Sequence, residues 1–201
     1  MIKNKIHLFL VLFLSLLCGH KAKYLKNDSV YKLVLPLTQE KNIPAEFVKQ
    51  SFLSKEVKIY EDIPGRFEFA YEKKTYPEYK KLFVTEKRIN RGVKFYLSNT
   101  ELLLSIADSL KVDPFLILSI TGIESNFGTH PGSYDVFSAL YTITHSMPKK
   151  KKWASKELAE FLEYCYIDKL PVHSIRGSYA GAFGFGQFIP SSFNSFAVDF
   201  D

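Results

Sequence analysis

The feature that most constrains the fold is the nearly continuous apolar stretch DPFLILSITGIESNFG at residues 113–128. Asp113 and Pro114 are typical of an N-cap and a first helical turn, so a helix is predicted to begin there and to end at residues 128–132. A helix that is apolar on nearly all sides is expected to be buried rather than amphipathic. One charged side chain, Glu124, interrupts this stretch and requires an explanation.

Other helices are predicted from the apolar spacing on both sides of this stretch. An amphipathic pattern covers residues 85–111 and is interrupted near Asn99. Asp135 is placed to cap a helix with the sequence VFSALYTITHS, and WASKELAEFLEYCY predicts the next one. Pro190 is placed to begin a last short helix. The chain is therefore predicted to be mostly α.

Residues 1–19 have a different composition from the rest of the chain. Two lysines precede the apolar block Ile6–Leu17, which is too short to span a bilayer comfortably. This pattern predicts a signal for export to the cell envelope, and an uncleaved membrane anchor is the alternative. Cys18 stands where a lipoprotein signal places its lipidated cysteine, so lipidation of Cys18 and simple cleavage near Gly19 both remain open.

The sequence that follows divides into two parts. Residues 20–45 show no clear period and are predicted to be a lead-in or tether, which leaves residues 46–201 as the folded domain. Cys165 falls on the apolar face of a helical pattern and has no second cysteine in a mature chain. We therefore predict that it is a small buried hydrophobe rather than a nucleophile.

The charge of the chain limits its partners. A formal net charge of +6 and an isoelectric point near 9.1 favour anionic partners. In a cell envelope these are acidic lipids and the carboxylates of the wall polymer, with association of the protein through a lipid anchor as one route to the membrane. Export argues against nucleic acid as a partner.

Glu124 shares a helical stripe with Ile120 and Ile117, which lie one and two turns before it. A carboxylate on such a stripe loses water on folding, which raises its pKa and suits it to donate a proton near neutral pH. The alternative is structural: Glu124 emerges at the helix end and caps a backbone group or pairs with a lysine.

A second candidate element is the glycine-rich and aromatic segment GSYAGAFGFGQF. Its glycines allow the backbone to approach a ligand closely, its aromatic rings suit the CH faces of a sugar, and its polar side chains suit sugar hydroxyls. Its spacing fits neither a dinucleotide fingerprint nor a P-loop. A tightly packed loop without a ligand is the alternative. The side chains concerned are Ser178, Tyr179, Phe185 and Gln187.

No cofactor or metal site is predicted from the remaining residues. His130, His145 and His173 lack the spacing of metal ligands and of a catalytic triad. Asp135 is a possible second carboxylate, although its place before a helix favours capping. The lysine run at residues 149–152 is most often a solvated face.

GIESNFG, followed by SYDVFSALYTITHS and GSYAGAFGFGQFIPSSFNSFAVDF, resembles the membrane-bound lytic murein transglycosylases of the B type. The likeness begins near Phe47 and runs to the last residue. The resemblance implies a lysozyme-like α (α+β) fold with little β structure. It also implies cleavage of peptidoglycan glycan strands between N-acetylmuramic acid (MurNAc) and N-acetylglucosamine (GlcNAc), in the periplasm or at the outer membrane, by a protein that we expect to be a monomer.

The resemblance also assigns roles to particular residues. Its single catalytic acid falls on Glu124, and its cleft-lining serine and glutamine fall on Ser178 and Gln187. One carboxyl group is enough, because the C6 hydroxyl of MurNAc replaces water and a 1,6-anhydro sugar results. Glycosidases that use water usually need two carboxyl groups.

Two departures from the family pattern stand out. Lys149 and Lys150 occupy positions where the family often has two arginines, so a contact there with wall carboxylates would lack the bidentate arginine clamp. The family also continues past this sequence into an Asp-rich loop that binds calcium in some members. Asp199 and Asp201 resemble its first positions, and because one or two carboxylates are too few for calcium we predict no bound metal.

Three functional hypotheses follow from the sequence. The first is a lytic transglycosylase domain that lacks the C-terminal part of the family domain. The second is a catalytically inactive remnant or a peptidoglycan-binding protein that keeps part of the cleft. The third, a lysozyme-type hydrolase, needs a positioned water and a base.

Overall fold

The computed structural model describes Leu25, residues 27–68 and residues 75–198. The export signal predicted for residues 1–19, with Cys18, lies outside these described residues. In chain order the helices are α1 (Ser29–Glu40), α2 (Ala45–Leu53), α3 (Ile63–Glu68), α4 (Tyr76–Phe83), α5 (Glu86–Ser98), α6 (Thr100–Leu110), α7 (Pro114–Glu124), α8 (Val136–Ser146), α9 (Lys151–Ile167) and α10 (Pro190–Phe196).

Helix α8 forms the centre of the core. Every residue from Val136 to Thr144 is buried, and α9 packs along both α8 and α1. Asp135 caps α8 as predicted, since its Oδ1 accepts a hydrogen bond from the Ser138 amide at 3.3 Å. Cys165 lies on α9, fully buried, and burial raises the pKa of its thiol to about 12, so the prediction of an inert buried hydrophobe is confirmed.

Helix α1 is part of this core, so the prediction of a loosely packed lead-in over residues 20–45 is wrong for residues 29–40. Val30, Val34 and Thr38 are completely buried, and Asp28 caps the helix by accepting hydrogen bonds from two backbone amides. The buried positions recur every four residues in one narrow stripe. That stripe is too short for the sequence alone to indicate that the helix is buried. Its burial depends on α9, which packs over it.

The predicted amphipathic pattern over residues 85–111 forms two helices, α5 and α6. The break falls at Asn99, as predicted, where the side-chain amide donates to the Phe95 carbonyl at 2.8 Å. Helix α7 begins at Asp113 and Pro114, also as predicted, with the Asp113 carboxylate accepting from the Phe115 amide at 2.7 Å. Local capping chemistry therefore sets these boundaries.

The prediction that α7 is buried is wrong. Phe115, Leu116, Ile120 and Ile123 are 59%, 55%, 46% and 40% exposed. Among the described elements α7 packs mainly on α5 and α6, which cover one side of it. Apolar composition allows a helix to be buried, but the neighbouring elements decide which of its faces are covered.

Two short strands, β1 (Tyr134–Asp135) and β2 (Arg176–Gly177), pair antiparallel. Gly132 lies against this pair with φ of +109°, and a Cβ atom there would lie 2.0 Å from the carbonyl of Gly177. Only glycine allows this close approach of the two chain segments. The fold is thus mostly helical with little β structure, as predicted, and the strand pair leads directly into the glycine-rich segment.

Candidate active site

Glu124 is the last residue of α7 and its side chain is exposed. Partial burial nevertheless raises the pKa of its carboxyl group above the ordinary value. The negative end of the helix dipole acts in the same direction, because it disfavours a carboxylate at a helix C-terminus. Among the described residues this carboxyl makes no ion pair and no hydrogen bond, so the capping and lysine-pairing alternatives are not observed.

The chain turns sharply after Glu124. Asn126, Phe127 and Gly128 all have positive φ, at 52°, 60° and 74°, so α7 ends at Glu124 and not at residues 128–132 as predicted. Ser125 closes the turn: its hydroxyl donates to the Thr121 carbonyl at 3.1 Å and accepts from the Gly128 amide at 3.0 Å. Glycine adopts this conformation freely, but Asn126 and especially Phe127 do so at a cost, which indicates a turn held by tertiary contacts.

The Phe127 ring supplies the main tertiary contact of this turn. A Cβ atom at Gly92 of α5 would lie 2.9 Å from Phe127 Cζ, and one at Gly122 of α7 would lie 2.7 Å from it. The two glycines therefore form a notch between the helices that receives the ring. The sequence singles out Glu124 as a candidate acid but does not indicate this notch, because the contact joins residues that are distant in the chain.

Phe185 brings the glycine-rich segment against the same turn. A Cβ atom at Gly128 would lie 2.5 Å from Phe185 Cε1, and the rings of Phe95 and Phe185 have centroids 6.2 Å apart. Phe95 also contacts Phe127, with centroids 5.4 Å apart. The two sequence motifs are thus in contact in the folded chain, and an exposed aromatic ring lies beside the turn that carries Glu124.

Ser178 and Gln187 both hold the glycine-rich segment in shape. The Ser178 hydroxyl oxygen accepts from the amides of Ala180 and Ala182 at 3.2 and 3.1 Å. The Gln187 side-chain amide donates to the Gly184 carbonyl at 3.0 Å and to the Pro131 carbonyl at 3.4 Å. Each side chain therefore positions backbone, and the serine hydroxyl hydrogen and the glutamine Oε1 remain available to a ligand.

Tyr179 and Lys150 meet at the short helix α3. Phe67 of α3 packs edge to face on Tyr179, with centroids 5.0 Å apart. Lys150 Nζ lies 4.5 Å from the centre of the Phe67 ring, a cation–π contact. Lys149 is exposed beside it. Lys150 is therefore fixed near Tyr179 of the glycine-rich segment, whereas Lys149 makes no such contact with the residues that the structure describes.

A buried histidine and aspartate brace the strand pair. His173 Nδ1 lies 3.0 Å from Asp135 Oδ2, and His173 Nε2 lies 3.0 Å from the Ser51 carbonyl oxygen. Burial disfavours the charged ring, but hydrogen bonds to Asp135 and to the Ser51 carbonyl outweigh it and raise the pKa of His173. Both ring nitrogens face acceptors, so both bonds are made only by the imidazolium.

No group of three or more His, Cys, Asp or Glu side chains that could hold a metal ion occurs among the described residues. Asp199 and Asp201, the two residues that resemble the start of a calcium loop, lie outside the described part of the chain. The His130 ring lies 3.1 Å from the Asn126 side-chain amide and 2.9 Å from the Thr129 hydroxyl, at the surface after the Glu124 turn.

The mostly helical fold, with one carboxyl group beside a glycine-rich aromatic segment, is that of a lysozyme-like lytic transglycosylase domain. The profile of the family described as Transglycosylase SLT domain matches residues 28–201. The chain belongs to this family.

Similar proteins agree with this assignment. The chain is 34% identical over 122 residues to membrane-bound lytic murein transglycosylase B of Escherichia coli K12, which covers 61% of this chain and 34% of that protein. It superposes on the soluble lytic transglycosylase SltB1 of Pseudomonas aeruginosa with a TM-score of 0.77 and 35% identity, over 85% of this chain and 57% of that one.

A third similar structure was solved with a ligand. SltB3 of Pseudomonas aeruginosa in complex with NAG-NAM-pentapeptide matches with a TM-score of 0.74 and 25% identity, over 82% of this chain and 43% of SltB3. The chain therefore spans less than two thirds of the length of each of these three relatives.

Proposed function

We propose that this protein is a peptidoglycan lytic transglycosylase that cleaves the glycosidic bond between MurNAc and GlcNAc and leaves a 1,6-anhydroMurNAc end. The observation that carries the proposal is Glu124: its pKa is raised, it has no partner among the described residues, and its turn contacts the glycine-rich segment. The glycan fragment bound to SltB3 supports the same substrate class.

One carboxyl group can perform both halves of this reaction. Protonated Glu124 donates its proton to the glycosidic oxygen as the bond from that oxygen to C1 of MurNAc breaks, and GlcNAc leaves with a free hydroxyl. The substrate's own N-acetyl group or ring geometry stabilises the positive charge at C1. The Glu124 carboxylate then takes the proton of the C6 hydroxyl as its oxygen bonds to C1. Glu124 is restored, and no water is consumed.

The glycine-rich segment would bind the sugar beside the acid. The exposed Phe185 ring offers a flat face to a sugar ring, and Ser178 and Gln187 keep one polar group each for sugar hydroxyls. Tyr179 of the same segment packs against Phe67. The substrate is a polymer, so these contacts would hold neighbouring sugars rather than a single one.

Lys149 and Lys150 would contact carboxylates of the peptide stems. Lys150 is the better placed of the two, because its ammonium is held over Phe67 next to Tyr179. A lysine offers a point charge without the planar fork of arginine, so we expect a modest contribution to binding and none to the chemical step.

The test is to digest purified peptidoglycan with the protein and with Glu124→Gln, and to identify the new ends by mass spectrometry. We expect anhydro-MurNAc ends from the unaltered protein and none from the variant. Reducing ends would instead assign hydrolysis, and binding to peptidoglycan without cleavage would assign a binding protein. Equal denaturant midpoints for the two proteins would show that Glu124→Gln is folded.

We also propose export to the cell envelope, with the protein in the periplasm and, when Cys18 is lipidated, anchored to the outer membrane. The relative from Escherichia coli is named as membrane-bound. Within the described residues no helix is long and apolar enough to cross a bilayer. Mass spectrometry of the mature N-terminus would separate lipidated Cys18 from simple cleavage and from an uncleaved anchor.

A further inference from the structure

A groove between α1 and the start of α9 lies apart from the site described above. Its volume is about 420 Å³. Leu33, Leu37 and Pro148 form an apolar wall, and Lys151, Lys152 and Lys156 form a basic one. We refer to it as the lysine groove.

The described part of the chain supplies no counter-ion to the lysine groove. No carboxylate lines it, and none of its three lysines makes an ion pair within the described part of the chain. The first turn of α9 also contains no acidic residue. Like charges placed this close repel one another, so a bound anion would relieve the repulsion.

The carboxylates elsewhere on α9 are already engaged. Glu160 and Glu163 each lie 2.6 Å from Lys41 Nζ. Glu157 accepts hydrogen bonds from the amide and hydroxyl of Ser191. These acids therefore cannot neutralise the lysine groove without breaking other contacts, and its positive charge is available to an external partner.

The apolar wall decides which anion fits. A free phosphate or a polymer carboxylate would contact the lysines only and would leave Leu33, which is 39% exposed, facing water. An anionic phospholipid has both kinds of surface: a phosphate for the lysine ammonium groups, and glycerol and acyl carbons for the leucines. Lysine stems also lie along apolar surface while their charged ends reach the headgroup level.

We propose that the lysine groove binds anionic phospholipid at a membrane surface and holds the folded body against it. This inference does not depend on the proposed reaction. Lys150, which precedes the groove lysines, points instead to Phe67 and through it to Tyr179. Docking through the groove would therefore leave the cleft side of the molecule open to glycan strands.

The test measures binding of the full chain to phosphatidylcholine vesicles with and without phosphatidylglycerol, by co-sedimentation. One variant carries Lys151→Gln, Lys152→Gln and Lys156→Gln. The matched control carries Lys80→Gln, Lys81→Gln and Lys87→Gln, which remove the same charge from exposed positions on α4 and α5. The unaltered N-terminal segment is common to all three proteins, so any contribution it makes cancels in the comparison.

We expect the groove variant to lose roughly 10-fold or more of the phosphatidylglycerol-dependent affinity, because each lysine near an anionic membrane contributes substantially to binding. The control should retain that affinity within about 2-fold, since its lysines do not face the membrane. Leu33→Gln should weaken binding at high salt as well as low salt, because it removes apolar contact rather than charge.

Three results would overturn the proposal. Equal losses in the two triple variants would show that only net charge matters, and equal binding to both vesicle types would show that the groove takes no part. Loss of binding to insoluble peptidoglycan with vesicle binding unchanged would assign the groove to the wall polymer. Glycan cleavage in solution should persist in the groove variant, so failure of this proposal is distinguishable from failure of the proposed reaction.

Discussion

Glu124 combines an exposed position with a raised pKa, and this combination suits a group that must exchange protons with a substrate. Its carboxyl has lost part of its hydration, which raises its pKa, but it remains accessible at the end of α7. A fully buried acid would be shielded from the glycosidic oxygen, whereas a fully solvated one would be ionised at neutral pH.

The raised pKa of Glu124 predicts the pH dependence of cleavage. Protonated Glu124 is the reactive form, so kcat/KM should fall as the pH rises through its pKa, at a pH above the usual value of roughly 4.3. Carbon-13 NMR of the Glu124 carboxyl, identified by its loss in Glu124→Gln, would give the titration directly. We expect the pH profile of kcat/KM and the NMR titration of the Glu124 carboxyl to give the same pKa. A carboxyl that titrates at or below the usual value would contradict the assignment.

The raised pKa of His173 predicts that the stability of the fold also depends on pH. Its folded-state pKa is raised, so its contribution is present below the unfolded value of roughly 6.5 and is lost as the pH rises through the folded value. We expect the free energy of unfolding to fall over that range, because the bonds of the imidazolium to Asp135 and to the Ser51 carbonyl are weakened when the ring loses its proton. Cys165, Glu56 and the Phe137 ring also lie near the pair.

Urea unfolding across that pH range would measure how much of the free energy of unfolding is lost as His173 loses its proton. The variant His173→Gln should be less stable at the acid end and should show little of this pH dependence. His145→Gln, at an exposed position, serves as the control and should behave as the unaltered protein. An undiminished pH dependence in His173→Gln would assign the effect to another group.

The end of α7 shows how two helices place one side chain. Phe127 enters a notch made by glycines on α5 and α7, and the strained turn that follows Glu124 is held by that contact. The helix dipole, the strained turn and the contact of the Phe127 ring therefore all act at the end of α7, where Glu124 lies. Any change that moves the ring should also move the acid.

Gly122→Ala tests this coupling. The new methyl group would lie 2.7 Å from Phe127 Cζ, so the ring must shift, and we expect a loss of about 1–3 kcal/mol in stability together with reduced cleavage. Gly65→Ala is the matched control, because nothing lies within 4 Å of its added Cβ atom. Denaturant unfolding and glycan release measure the two effects. Full activity in Gly122→Ala would show that the notch does not position the acid.

Contacts across the described chain hold the glycine-rich segment between α9 and α10. The buried Glu157 carboxylate of α9 accepts from the Ser191 amide at 2.9 Å and from its hydroxyl at 2.8 Å, which fixes the start of α10. Lys41 at the end of α1 joins the same side of α9 through Glu160 and Glu163. These bonds tie α1 and α10 to α9, and so fix the two helices between which the glycine-rich segment runs.

Glu157→Gln should cost about 1–2 kcal/mol of the free energy of unfolding, because two charge-assisted hydrogen bonds to Ser191 become weaker neutral ones. Glu101→Gln, on the exposed surface of α6, is the control and should change it by less than about 0.5 kcal/mol. Urea unfolding monitored by fluorescence provides the comparison. Equal losses in the two variants would contradict a structural role for Glu157.

Much of this arrangement follows from local signals in the sequence. Asp113 with Pro114, Asn99 and Asp135 mark helix boundaries through capping bonds that span only a few residues, and the structure places those boundaries as predicted. The fold class and the family are likewise predictable from the motifs. The assignment of Glu124 as the acid remains a prediction, now with a raised pKa in its support.

Other features depend on packing between distant segments. The burial of α1 requires α9, the exposure of α7 depends on which neighbours cover it, and the contact of Phe185 with Gly128 joins residues from different motifs. The spacing of apolar residues predicts which side chains share a helix face. Only the packing of the helices decides whether that face is covered by another element or exposed to water. The sequence thus singles out Glu124 and the start of its helix, because capping bonds are local, whereas tertiary contacts decide where that helix ends and what surrounds the carboxyl group.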